Sequence, residues 1–420
     1  MKDVIIIGTG LAGYTAAHYL AKSNLSVLML EKSKTVGGRA QTKKISGQYF
    51  NMGPHAVYKK GEGAAILEHL GIELHGRSPK LSGEIYEQND AYTAPFTASG
   101  LLASSYLSWK ERKEWMLLIM RLSSMKIDDV PQQSYEQWIE SNVRSDRVKG
   151  LLYALGRLAS YCHAPDIISA KVMLAQVKIA LGKVLYLDGG WQSLVDQLHN
   201  KAVLLDVQIK KESNVQQICT DEKNGFKLTL SNGEIIYGKH VIFTGEPQAL
   251  NQMLDIEHPY RDDLSTMKAV KAASLDVALT KLPQPKRLFA MSTTDPLYFA
   301  VHSSYAKLSE HGDSIVLHCL KYLRPSEQAN NEQVRIELEQ FIERLQPGWK
   351  NEVITSRFMP SITVNHRLPR ANEESPLLQS LAVIPGIYVA GDWASPHSML
   401  LDGAVSSGRL AAEHIIREMR

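Results

Sequence analysis

Cysteine is scarce. The 420 residues hold three, Cys162, Cys219 and Cys319, far apart and never as CxxC. That spacing excludes a disulfide framework and a thiolate metal site, and it fits reduced thiols in a cytoplasmic protein. Long apolar runs are missing as well. The first, Val4-Ile5-Ile6-Ile7, stops at a glycine after four residues, too short for a secretory signal. No stretch approaches the roughly 18–20 apolar residues that span a bilayer. Neither sign of charge dominates: the formal net charge is +3 with no dense basic stripe, so nothing argues for a nucleic-acid partner. The expectation is a cytoplasmic protein, with peripheral membrane contact and oligomeric state left open. Its length exceeds one ordinary hydrophobic core, which points to two domains.

What is present concentrates at the two ends. Val4–Ile7 has the pattern of a parallel strand buried on both faces. Gly8-Thr9-Gly10-Leu11-Ala12-Gly13 follows, then a helical pattern with Ala12, Ala16, Tyr19 and Leu20 on one side, then Val27-Leu28-Met29-Leu30 and Glu31. Strand, glycine turn, helix, strand and acid are the parts of a dinucleotide site. Gly8 permits the tight turn, Gly10 lets backbone N–H groups approach a pyrophosphate, and Gly13 lets helix and strand pack closely. Glu31 is placed to accept from a ribose diol. Further on, Gly37-Gly38-Arg39 reads as a second close-approach loop with a guanidinium suited to phosphate. Gln48-Tyr49-Phe50-Asn51-Met52-Gly53-Pro54-His55 reads as a short strand leading into a Gly-Pro turn.

These motifs resemble the N-terminal half of the flavoproteins that include phytoene desaturases, protoporphyrinogen oxidases and amine oxidases. At the other end, Gly386-Ile387-Tyr388-Val389-Ala390-Gly391-Asp392 is similar to that superfamily's last strand and Gly-Asp motif. Leu401-Asp402-Gly403-Ala404-Val405-Ser406-Ser407-Gly408 resembles its flavin-contacting helix start. The resemblance implies FAD as cofactor. It implies contacts from Gly8, Gly10, Leu11, Ala12 and Gly13, and from Glu31 and Lys32. Gly38, Arg39, Gly53, Pro54 and His55 would add to these, with Val215 beside the adenine and Gly391, Asp392, Gly403 and Ala404 toward the ribityl and flavin. It also implies an α/β fold: a Rossmann-like FAD-binding domain, parallel sheet plus β-meander, from residues 1–80, 183–247 and 370–420. A second, α+β substrate domain would take 81–182 and 248–369.

Between the ends, residues from about Leu81 to Gly182 read mostly helical, with Ser134-Tyr135-Glu136-Gln137 as a capping-box start. The apolar stretches 115–125 and 167–181 suit a core, the wall of a greasy substrate tunnel, or a membrane-facing surface. A meander is expected at Val203–Ile209, Val215–Ile218, Phe226–Leu230 and Glu234–Ile236, then a buried strand from Val241. Strands at Ser274–Leu279, Tyr298–Ser303 and Ser314–Cys319 and a helix Glu332–Leu345 complete the reading.

Flavin would carry the redox chemistry, so no catalytic side chain stands out; His397, Leu400 and His55 are the candidates. Asp402 reads as a plain N-cap of its own helix. Amine oxidases of the superfamily place an aromatic residue where this chain has Leu400, preceded by Met399. An apolar pair there favours an apolar organic substrate, polyene, terpenoid or porphyrinogen-like, over an amine held by ring faces. With no second dinucleotide fingerprint, electrons are expected to pass from substrate to oxygen or a quinone, not to come from nicotinamide. The alternatives are a flavin amine oxidase and a flavinless prenyl-binding interaction protein like the Rab GDP-dissociation inhibitors. The intact glycines and acids argue against the second.

Overall fold

Two large sheets organise the chain in a computed structural model that describes residues 1–310, 312, 314–327, 329–373 and 375–420. The first sheet runs, in spatial order, Gln208–Lys210, Val27–Leu30, Lys2–Ile7, Ile235–Phe243, Gly225–Leu230 and Val215–Asp221, with Ile387–Val389 and Ala382–Ile384 beyond Ile235–Phe243. The apolar runs Val4–Ile7 and Val27–Leu30 are buried, as a parallel core sheet demands. Ile235–Phe243 joins the two parts. Its first residues pair antiparallel with Gly225–Leu230, and its last pair in parallel with Lys2–Ile7 and Ile387–Val389. The first helix, Leu11–Lys22, packs against the last, Leu400–Glu418. A Cβ at Gly408 would stand 2.4 Å from the Ala12 carbonyl oxygen, so this crossing requires glycine.

The second sheet runs Val353–Asn365, Val270–Leu279, Ile315–Leu323, Leu297–Ala300, Phe289–Ser292, Glu84–Glu87, Asp90–Thr93. Its strands alternate with period two. Leu275, Val277, Leu317 and Cys319 face the helix Asn331–Leu345. Val270, Ala272, Leu320 and Tyr322 share a core with the helices Trp109–Ser124, Tyr135–Asn142, Asp146–Ser160 and Ala170–Ala180. Ser134 and Gln137 make both bonds of the capping box.

Several expectations are corrected. Residues 81–182 do not begin helical: Glu84–Glu87 and Asp90–Thr93 form a hairpin on the edge of the second sheet. Val203 and Leu204 end the helix Gln192–Leu204, and only Gln208–Lys210 is strand there. The meander strand at 234–236 and the buried strand at 241 are one element. Of the two apolar helical stretches, Trp115, Leu118, Leu122, Val172, Met173, Leu174 and Val177 are core, whereas Met116, Leu117 and Met120 face outward.

Candidate functional site

The glycine turn sits where the first strand meets the first helix. Gly8 has φ +107°, a conformation other residues adopt only under strain. A Cβ at Gly13 would lie 2.3 Å from the Gly8 carbonyl oxygen. At Gly10, the N-cap of the helix, a Cβ would meet nothing within 4 Å, and no side chain caps the helix. Gly38 closes the same space, its own Cβ position 3.6 Å from the Gly10 α-carbon. An open cradle before an uncapped helix N-terminus suits a pyrophosphate. Glu31 is buried at the end of its strand and accepts from the Thr9 N–H (3.1 Å), the Thr9 hydroxyl (2.5 Å) and the Ser33 N–H (2.9 Å). Ser213 N–H donates to the Glu31 carbonyl at 2.8 Å, which brings the chain entering Val215 alongside it.

Across the cradle lies an ionic cluster. Arg39 Nη2 is 2.8 Å from Asp392 Oδ1, and Nη1 donates to the Val364 carbonyl at 2.8 Å. His366 donates its backbone N–H to Asp392 Oδ2 (3.1 Å), and its Nδ1 is 3.2 Å from Oδ1. Burial raises the Asp392 carboxyl, but Arg39 and His366 outweigh it and hold it at about 2. The long edge strand Val353–Asn365 thus ends beside the Arg39–Asp392 pair. Asn365 Oδ1 accepts from the Leu400 N–H at 2.9 Å. Leu400 has φ +57°, unusual for a branched residue and costing roughly 1–2 kcal/mol. Met399 before it is fully buried in the second core, and Leu400, Ile362 and Val364 pack half-buried against that core.

Asp402 does not cap its own helix. The N-cap is Met399, and Asp402 Oδ1 accepts from the Gly63 N–H (2.6 Å) in the first turn of the Glu62–His69 helix. Its Oδ2 is buried without a partner, and burial above all raises the carboxyl to about 6. A Cβ at Gly61 or Gly63 would collide with this carboxylate. Gly403 lies against the Asp392 and Ser398 carbonyls, while Ala404 is half-buried beside it in the first turn of the last helix.

Gly53 has φ +90° and no room for a Cβ beside Ile362. Pro54 accepts from the Tyr161 hydroxyl at 2.9 Å, and Tyr161 stands edge-on to Tyr322. His55 lies 4.7 Å from the Trp191 ring, its Nδ1 2.9 Å from the Gly53 carbonyl, and burial pushes its pKa down to about 4. It is neutral at physiological pH.

Pairwise contacts link these residues: Gly38 approaches Gly10, Glu31 bonds to Thr9, Arg39 pairs with Asp392, and Gly403 lies against the Asp392 carbonyl. Lys32 is exposed. His397 is also exposed, with no hydrogen bond among the described residues, so it is no buried acid or base. The sequence carries no signal for Asn365, and it offers His366 only as one of four histidines, with His55, His302 and His397, that could reach a site. It also shows no His–Asp pairing, yet His318 Nδ1 lies 2.8 Å from Asp276 Oδ1, both fully buried. Arg357 joins that pair at 2.5 Å and also donates to the Asn51 carbonyl. Alternating positions on neighbouring strands made this pair, and only the register reveals it.

FAD fits the residues present: an open cradle at Gly10, an uncapped helix and a buried acid beside it. The sequence pattern of the family described as flavin containing amine oxidoreductase matches residues 11–416. A 15-cis-phytoene desaturase of Solanum lycopersicum is 23% identical over 473 residues, covering 99% of this chain and 78% of that protein. The structure of a putative protoporphyrinogen oxidase from Exiguobacterium superposes with a TM-score of 0.75 at 19% identity, covering 99% of each chain. Cyclohexylamine oxidase from Brevibacterium oxydans gives 0.74 at 16% identity, covering 100% of this chain and 99% of its own. These two share the fold. The flavinless interaction protein is set aside, for the chain belongs to the flavin containing amine oxidoreductase family and is an FAD-dependent oxidoreductase.

Proposed function

We propose that the enzyme dehydrogenates a carbon centre of a predominantly apolar molecule, a polyene, terpenoid or porphyrinogen-like compound, with electrons passing to oxygen or a quinone. FAD, when bound, supplies the acceptor for the electron pair. The glycine turn would hold its pyrophosphate, Glu31 its ribose, and Arg39 and Asp392 the phosphate and ribityl region. The N-terminal end of the last helix, where Gly403 and Ala404 are small enough for close approach, would favour negative charge on the flavin ring.

One observation carries the substrate reading. The position leading into the last helix is Leu400, half-buried like Ile362 and Val364 against the second core that contains Met399. This wall offers a substrate apolar contact and no charged anchor, so binding would come from burial at about 25 cal/mol per Å². Phytoene desaturases among the relatives fit such a substrate by name. Amine oxidation is the second reading. It is favoured by the Tyr161–Tyr322 pair beside Pro54, ring faces that attract a cation.

Turnover of polyenes, porphyrinogens and amines by the wild-type protein and Leu400→Tyr separates the two. The apolar reading expects a polyene or porphyrinogen to be the faster wild-type substrate and Leu400→Tyr to slow it about tenfold or more, roughly 1.4 kcal/mol. Faster wild-type turnover of an amine, improved by Leu400→Tyr, overturns it in favour of amine oxidation.

A further inference from the structure

Large apolar side chains are exposed together on one part of the surface. On the helix Trp109–Ser124, Trp109 is 76% exposed, Met116 48%, Leu117 51% and Met120 62%, and Leu102 on the preceding helix Ala98–Ala103 is 69% exposed. Spacings of seven, one and three residues from Trp109 put them along one helix face, opposite the buried Trp115, Leu118 and Leu122. Burying that inner face explains why the helix forms. It does not explain why the outer face is apolar.

The charges on this element are sorted by sign. Lys110 and Lys113 are exposed on or beside the apolar face without an ion-pair partner among the described residues, and Arg121, also exposed, lies over the Trp138 ring at 5.7 Å. The acids turn away. Glu111 accepts from the Ser108 N–H and the Ser145 hydroxyl, and Glu114 from the Arg144 N–H. Arg112 stacks over Trp109 at 4.7 Å and donates to the carbonyls of Leu102, Ser104 and Leu107. That bracing holds Trp109 and Leu102 in one preformed surface.

We propose that this surface docks the enzyme on an anionic phospholipid bilayer. Apolar side chains would enter the acyl boundary while Lys110, Lys113 and Arg121 meet the headgroup phosphates. A second copy is a poorer occupant, because a two-fold contact would set the same unpaired cations against each other. No helix among the described residues is long and apolar enough to cross a membrane, so the contact is peripheral. The surface also adjoins the site. Beyond Lys126 the turn Ile127–Asp129 packs, through Ile127, on the core that buries Met399 and half-buries Leu400. A lipid-dissolved substrate would meet the protein there. That purpose rests on the apolar-substrate reading, but docking does not, and the test below reads docking alone.

The FAD-loaded full chain is floated with phosphatidylcholine vesicles, with and without about one-third phosphatidylglycerol. Binding is expected to the anionic vesicles and to weaken with salt. The double variants Leu117→Glu/Met120→Glu and Lys110→Glu/Lys113→Glu should each bind at least tenfold more weakly, with flavin absorbance and melting temperature unchanged. Ile336→Glu, at an exposed apolar position on the helix Asn331–Leu345, should bind as wild type. Wild-type protein left unbound by both vesicles overturns the proposal. So does undiminished binding by the Leu117→Glu/Met120→Glu variant, or a dimer in light scattering that this variant splits.

Discussion

Gly10 shows how much one residue can decide. It needs no unusual backbone, since its φ is −74°, so the requirement for glycine lies in the space in front of it. A Cβ there touches no protein atom, so Gly10→Val should leave the fold intact and fill the place of a pyrophosphate. The purified variant is expected colourless, with a melting temperature like that of the wild-type apoprotein; full flavin absorbance would refute this placement. Such residues were legible in the sequence because strand, turn, helix and acid follow within about thirty positions, and local geometry fixes their relation. Asn365, the pairing of His366 with Asp392 and the Asp276–His318–Arg357 group were not legible. Each depends on strand register or on a loop meeting a distant carboxylate, as His366 meets Asp392.

Among elements, the join between the Glu62–His69 helix and the last helix has a cost that varies with pH. Asp402 is pressed on the glycine backbone at the start of the shorter helix. In the unfolded chain its carboxyl titrates near 3.8, and in the fold near 6. Between those values the folded state keeps a proton that the unfolded chain has released, so stability falls as pH rises through this window. The full loss is about 3 kcal/mol, at roughly 1.4 kcal/mol per pKa unit. Asp402→Asn keeps the acceptor for Gly63 and cannot ionise. It should raise the melting temperature at about pH 8 and flatten its dependence between about pH 4 and 6. An unchanged melting profile would count against the raised carboxyl. Element types were partly readable. The capping box at Ser134 and the helix Asn331–Leu345 carry local signals. The hairpin Glu84–Thr93 does not: its outer strand is mostly exposed, and its inner strand is fixed by pairing with Phe289–Ser292, some two hundred residues away.

At the scale of the whole molecule, the described residues contain one strand–glycine turn–helix unit of the kind that holds a dinucleotide. The second sheet, largely antiparallel and without a strand–glycine turn–helix unit among the described residues, offers no second one. Anaerobic mixing with NADH or NADPH should therefore leave the oxidised flavin band in place over many turnover times. Rapid bleaching would show that nicotinamide is a competent donor. The two-sheet plan followed from the motifs at the ends, while the arrangement of the middle strands rests on pairings that skip along the chain.

The crossing of the first and last helices also bears on how the protein is made. The surface that covers Leu11–Lys22, the helix Leu400–Glu418, is translated nearly four hundred residues after it. At about 5–20 residues per second the nascent chain carries that uncovered apolar helix for roughly 20–80 seconds. Ile235–Phe243 also waits for Ile387–Val389 on its open edge. The glycine turn and the helix that packs over it are thus made far apart in time. During that interval the half-built sheet exposes apolar surface and an open strand edge, the features that make nascent chains prone to aggregate.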